Sequence, residues 1–126
     1  MVHHAQTELP NECCGLLGGV RDGDTLRVEA WYPLVNEAAS PTEYLSEPRS
    51  MFEAEKARRK LDHEFLAIYH SHPTSAPIPS KTDLARNYSP DVLNFIIGLG
   101  GLEPLVRGWW LNETKFEEAV WEIVET

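Results

Sequence analysis

Apolar and polar residues alternate along most of the chain in short runs, and these runs predict more strand than helix. Residues 3–9 read as a short helix stopped by Pro10. Residues 14–20 form an apolar stretch of small side chains ending at the turn sequence Arg21-Asp22-Gly23-Asp24. Residues 26–34 read as a second strand, so the two form a hairpin. The polar, proline-containing segment 36–48 predicts a surface loop. Residues 49–62, rich in Glu, Ala, Lys and Arg, predict a helix supported by the i,i+4 pair Glu55–Arg59.

Residues 64–72 form the next strand. Phe65, Ala67 and Tyr69 alternate with Leu66 and Ile68, so both faces are apolar and the strand belongs in the sheet interior. Three prolines stiffen 73–79, and a short helix runs from Ser80 to about residue 87. Strands follow at 93–99 and 105–111, separated by Gly100-Gly101. The tail, 116–124, fits both periods; the alternation of Glu118, Val120, Glu122 and Val124 favours a strand.

Composition narrows the picture. The 126 residues suit one compact domain, and 42% hydrophobic with 25% charged residues is ordinary for a globular protein. No apolar run approaches a membrane span and the start lacks a signal-peptide core, so a cytoplasmic location is expected. A net charge of −9 repels phosphate backbones and argues against nucleic acid as a partner. Cys13 and Cys14 are adjacent, which suits neither an ordinary disulfide nor a C-x₂-C zinc site.

The chemistry concentrates in His70-Ser71-His72-Pro73, followed by Ser80 and Asp83. Side chains two apart on a strand share a face, so His70 and His72 point together. The proline loop turns the chain back, and a helix starting at Ser80 presents Asp83 from its first turn. Two imidazoles and a carboxylate leave one zinc position open, as a catalytic site requires. The rival explanation is local: Ser80-Lys81-Thr82-Asp83 also fits a helix capping box. Glu12, just before the first apolar strand, is a candidate base, although on local sequence alone an exposed acid at a strand start is the better reading.

The spacing H-x-H-x₇-S-x₂-D, together with the segment Pro10 through Gly19 around Glu12, resembles the JAMM (MPN+) metallopeptidases. The stretch from Asn36 to Tyr44 looks like the small bacterial branch that contains the CysO–cysteine peptidase. The resemblance covers nearly the whole chain. It implies an α/β domain over residues 1–126 of cytidine deaminase-like form, with a mixed curved sheet flanked by helices. It implies one zinc ion per chain on His70, His72 and Asp83 together with a water, Glu12 as general base and Ser80 as oxyanion stabiliser. The implied reaction is hydrolysis after the C-terminal Gly-Gly of a ubiquitin-like or sulfur-carrier protein. Asn36 and Tyr44 would help line the approach of that tail; hydrogen bonding within their loop is an equal alternative for both.

Members of this branch usually carry a further strand and a longer helix before the glutamate segment, whereas eleven residues precede Glu12 here. The expectation is a missing strand and an exposed sheet edge, with the oligomeric state open. A non-catalytic MPN-type module that binds ubiquitin-like partners is the alternative, and the intact ligand set speaks against it. Zinc deaminases use H-x-E and P-C-x-x-C, neither of which is present. RadC-like proteins share H-x-H-P, but the Pro10–Gly19 segment fits them poorly. Trp109 and Trp110, on an expected strand, suit core or oligomer packing better than substrate binding.

Overall fold

A computed structural model describes residues 1–85, 92–112 and 115–123. Among the described residues three helices, α1 (Val2–Thr7), α2 (Pro48–Leu61) and α3 (Lys81–Ala85), accompany six strands. The strands are β1 (Cys14–Asp22), β2 (Thr25–Leu34), β3 (Glu64–His72), β4 (Leu93–Gly98), β5 (Leu105–Leu111) and β6 (Phe116–Ala119). They form one mixed sheet in the order β2-β1-β3-β4-β5-β6, parallel only between β3 and β4. The domain is therefore α/β, with the expected hairpin at β1–β2.

The expected elements are present with small differences at their ends. The tail is a strand, but it runs over Phe116–Ala119; Val120 to Ile123 lie beyond it, and Val124 falls outside the described residues. The third helix is described to Ala85, and residue 87, the expected end, also lies outside them. Glu47 caps α2 by accepting the Ser50 N–H at 3.1 Å, and Pro48 occupies its first turn. The expected Glu55–Arg59 pair forms at 3.1 Å.

Strand periodicity sorts the core onto two faces. Cys13, Leu17, Ala67, Tyr69, Phe95 and Ile97 pack with Ala5 of α1 on one side. Cys14, Leu16 and Leu34 pack with Ala54 of α2 on the other. The same alternation puts His70 and His72 on the α2 side, in phase with Ile68. Farther along that face, Ile96, Trp109 and Leu111 pack against Leu84 of α3. Trp109 is thus a core residue, while Trp110 is partly exposed.

On the α1 side a polar network sits within the apolar layer. The Trp31 Nε1–H donates to the Tyr69 oxygen at 2.7 Å, and the Tyr69 hydroxyl donates to His4 Nδ1 at 2.8 Å. Tyr69 is completely buried, so these two bonds satisfy a hydroxyl that would otherwise oppose folding. They also hold α1 and β2 to the central strand.

Candidate metal centre

The end of β3 supplies two side chains and the first turn of α3 supplies the third. His70 and His72 are both buried, with their Nε2 atoms 3.3 Å apart. Pro73 keeps His72 extended, and segment 73–79 then folds back over the sheet end. That segment is held tightly. Trp109 Nε1–H donates to the Pro77 carbonyl at 2.9 Å, and a side chain at Gly98 would lie 2.5 Å from the Pro77 ring. The loop delivers Asp83, whose Oδ1 lies 3.0 Å from His70 Nε2 and whose Oδ2 lies 3.0 Å from His72 Nε2.

The donor set fits a tetrahedral ion. Zinc–nitrogen bonds of about 2.0–2.1 Å put neighbouring donors roughly 3.3 Å apart, close to the separations found here. The ligand atoms of His70, His72 and Asp83 all lie within 4.8 Å of one another, the one such group among the described residues. The outer ring nitrogen of His72 contributes further: Nδ1–H donates to the Ala76 carbonyl at 2.9 Å, which leaves the Nε2 lone pair facing inward.

Charge balance in the centre is tightly coupled. Burial opposes ionisation of Asp83, but hydrogen bonds from His70 and His72 outweigh it and hold the carboxyl well below the usual range. Burial likewise works against a charged His72, yet the Asp83 carboxylate and the Ala76 carbonyl raise its pKa overall. The site thus favours positive charge at His72, the property that a divalent cation would exploit.

Ser80 and Asp83 also form the capping box anticipated from their spacing. Asp83 N–H donates to Ser80 Oγ at 3.1 Å, and Ser80 N–H donates to Asp83 Oδ2 at 2.8 Å. Cap and ligand are compatible, because the bond from Ser80 N–H orients the same carboxylate that faces the histidines. Ser80 itself is exposed, and its hydroxyl proton is not consumed by the cap.

Glu12 reaches this centre across the sheet. Cys14 pairs with His70, and Ser71 N–H donates to the Cys13 carbonyl at 3.2 Å. Glu12 lies two residues before β1, and its carboxyl interacts electrostatically with His72 and Asp83. Glu12 is 3% exposed, and its Oε1 finds no hydrogen-bond partner among the described residues. Burial pushes its pKa up to about 8; His72 counteracts this, while Asp83 and Glu43 add to it. A buried carboxyl with an unused oxygen beside three potential ligands is poised to exchange a proton.

Tyr44 and Asn36 occupy different surroundings. The Tyr44 ring stacks on His70 with centroids 4.9 Å apart, and it lines a cleft of about 490 Å³. That cleft runs from His70 and Asp83 over Leu16 and Ile68 toward Met51 of α2. Asn36 lies outside the cleft lining, and its Nδ2 donates to the Glu43 carbonyl of its own loop and to the Glu12 carbonyl. Sequence reasoning missed the Tyr44 stack and the Ala76 carbonyl. Only the Ala76-Pro77 pair, which stiffens the loop, hinted at the latter.

A single mixed α/β sheet with a preformed His-His-carboxylate centre at the end of its parallel pair defines a narrow class of domains. This chain belongs to the family described as prokaryotic homologs of the JAB domain, which it matches over residues 1–112. It is 35% identical over 91 residues to the CysO-cysteine peptidase of Mycobacterium tuberculosis, covering 72% of this chain and 61% of that protein. It is 40% identical over 82 residues to a probable TtuB-protein conjugate cleaving protease of Thermus thermophilus, covering 64% and 52% of the two chains. The chain thus spans between half and two thirds of these relatives. A solution structure of a Desulfitobacterium hafniense protein superposes with a TM-score of 0.86 at 38% identity, covering 94% of this chain and 82% of that one. No helix among the described residues is long and apolar enough to cross a membrane.

Proposed function

We propose that this domain is a zinc peptidase that hydrolyses the bond after the C-terminal Gly-Gly of a ubiquitin-like or sulfur-carrier protein. The observation that carries the reading is the convergence of His70, His72 and Asp83 with a buried, partly unsatisfied Glu12 on one sheet face. The relatives' names, one a peptidase and one a conjugate-cleaving protease, support the reaction class and the kind of partner.

His70, His72 and Asp83 would hold one zinc ion, with the Ala76 carbonyl fixing the His72 tautomer. Zinc held there supplies Lewis acidity, which acidifies water and polarises the scissile carbonyl. Glu12 takes the proton from the attacking water and passes it to the departing amine, a role suited to a pKa raised toward neutrality. The exposed Ser80 hydroxyl donates a hydrogen bond to the oxyanion that develops on the substrate. Tyr44, seated on His70 at the mouth of the cleft, flanks the approach of a tail whose glycines fit a narrow passage.

The test is a carrier protein extended beyond its Gly-Gly terminus, incubated with metal-loaded protein while zinc content is measured in parallel. One zinc per chain and cleavage after the second glycine are expected, and Glu12→Gln should abolish cleavage while retaining zinc. Full activity of that variant, or of chelator-stripped protein, would refute the mechanism. Zinc bound without cleavage of any Gly-Gly carrier would instead support a binding module.

A further inference from the structure

The position of Glu12 is not explained by the sheet. β1 begins at Cys14, so Glu12 lies beyond the strand's assigned start, although its side chain is buried. A buried backbone must place its polar groups somewhere. Both of those of Glu12 are taken by the 36–46 loop: its N–H donates to the Ser40 carbonyl at 2.8 Å, and its carbonyl accepts from Asn36 Nδ2 at 3.0 Å.

Asn36 is the centre of that loop. Its second Nδ2 proton goes to the Glu43 carbonyl at 3.1 Å, and its Oδ1 accepts the Ala38 N–H at 3.1 Å and the Leu45 N–H at 3.0 Å. Two donors and two acceptors exhaust the capacity of a primary amide. Nothing remains on this side chain for a substrate. Aspartate would keep both acceptor bonds and lose both donated ones, so the requirement for asparagine lies in the link to Glu12 and Glu43. The loop continues directly to Tyr44 on His70. One amide therefore ties the backbone carrying the base to the segment covering a ligand.

We propose that Asn36 is a positioning residue: its side-chain amide clamps the main chain of Glu12 against the 36–46 loop and so fixes the base relative to His70, His72 and Asp83. This rests on the peptidase reading for its kinetic consequence but not for its structural one. Misplacing a catalytic group by about 1 Å costs on the order of 10²-fold in rate. The metal ligands are held separately, by β3, the proline loop and the cap at Ser80.

The experiment compares wild type with Asn36→Asp, and with Asn36→Ala as a second variant that brings no charge into the loop. Amide hydrogen exchange at Glu12 and Leu45, zinc per chain, and kcat and KM on a Gly-Gly-extended carrier are measured together. In Asn36→Asp, exchange at Glu12 should rise at least about tenfold, because the residue loses its pinned carbonyl, while Leu45 keeps its acceptor and most of its protection. In Asn36→Ala both amides should exchange faster. Zinc should stay at one per chain in each variant, and kcat should fall about 10- to 100-fold with KM within about twofold.

Unchanged exchange at Glu12 in both variants overturns the proposal. So does a rise in KM with kcat intact, which would return Asn36 to substrate binding, and so does loss of zinc in a folded variant. If wild type cleaves no carrier, the peptidase reading fails, yet the exchange measurement still decides whether Asn36 holds Glu12.

Discussion

Replacing Glu12 by glutamine should alter stability in a pH-dependent way that can be worked out from burial. In the metal-free fold the Glu12 carboxyl is pushed from its ordinary value of 4.5 up to about 8, mainly by burial. Between these values the folded protein keeps a proton that the unfolded chain has released. Stability contributed by this group is therefore present in full below pH 4.5 and is lost as pH rises through 8. The slope reaches at most about 1.4 kcal/mol per pH unit, a ceiling of about 5 kcal/mol across the window. Relaxation and partial access to water reduce this to roughly 2–3 kcal/mol. Glutamine cannot ionise, so it removes the slope and leaves only a constant cost for burying its amide. Urea unfolding of wild type and Glu12→Gln with chelator at pH 5, 6.5 and 8 measures the difference directly. All other titrating groups are common to both proteins and largely cancel. The variant should gain on wild type as pH rises, and a stability difference that does not change with pH would refute the buried-base reasoning.

Three further outcomes are expected. Asp83→Asn removes the carboxylate charge that faces both histidines while its amide oxygen can still cap Ser80 N–H, so zinc per chain should fall from one to near zero by elemental analysis. Zinc affinity should fall with acidification, beginning above pH 6.5 because the His72 pKa is raised, by about tenfold per pH unit for each proton displaced; chelator competition reads this. Tyr69→Phe strips the Trp31 indole of its acceptor and His4 of its donor, and should cost about 1–3 kcal/mol in urea unfolding without changing zinc content.

The strands and the candidate ligand triad were legible because each depends on local pattern. The period-2 alternation of 64–72 placed β3 in the interior, and the same period put His70 and His72 on one face. Ser80 and Asp83 were ambiguous between cap and ligand for a sound reason: the structure uses them as a cap, and that cap also aims the carboxylate. Glu12 was the harder residue. It precedes β1, and its backbone is placed by bonds to Ser40 and Asn36 in a distant loop, which one strand's pattern cannot show. Asn36 and Tyr44 were noticed through resemblance, whereas what they touch depends on how the 36–46 loop folds. No short-range pattern encodes that.

The rigid seat of segment 73–79 carries a consequence for how a metal enters. Its carbonyls are engaged at Ala76 and Pro77, and it rests on Gly98 and Gly100 so closely that a methyl group at either would collide with it. The conformational entropy of assembling the ligands is thus spent when the chain folds, not when an ion arrives. Small zinc modules need the ion to fold, but this domain should reach its native shape unaided. Its exchange of metal with the surroundings should then be a local event at the mouth of the site, governed by brief openings near Asp83 and independent of global unfolding.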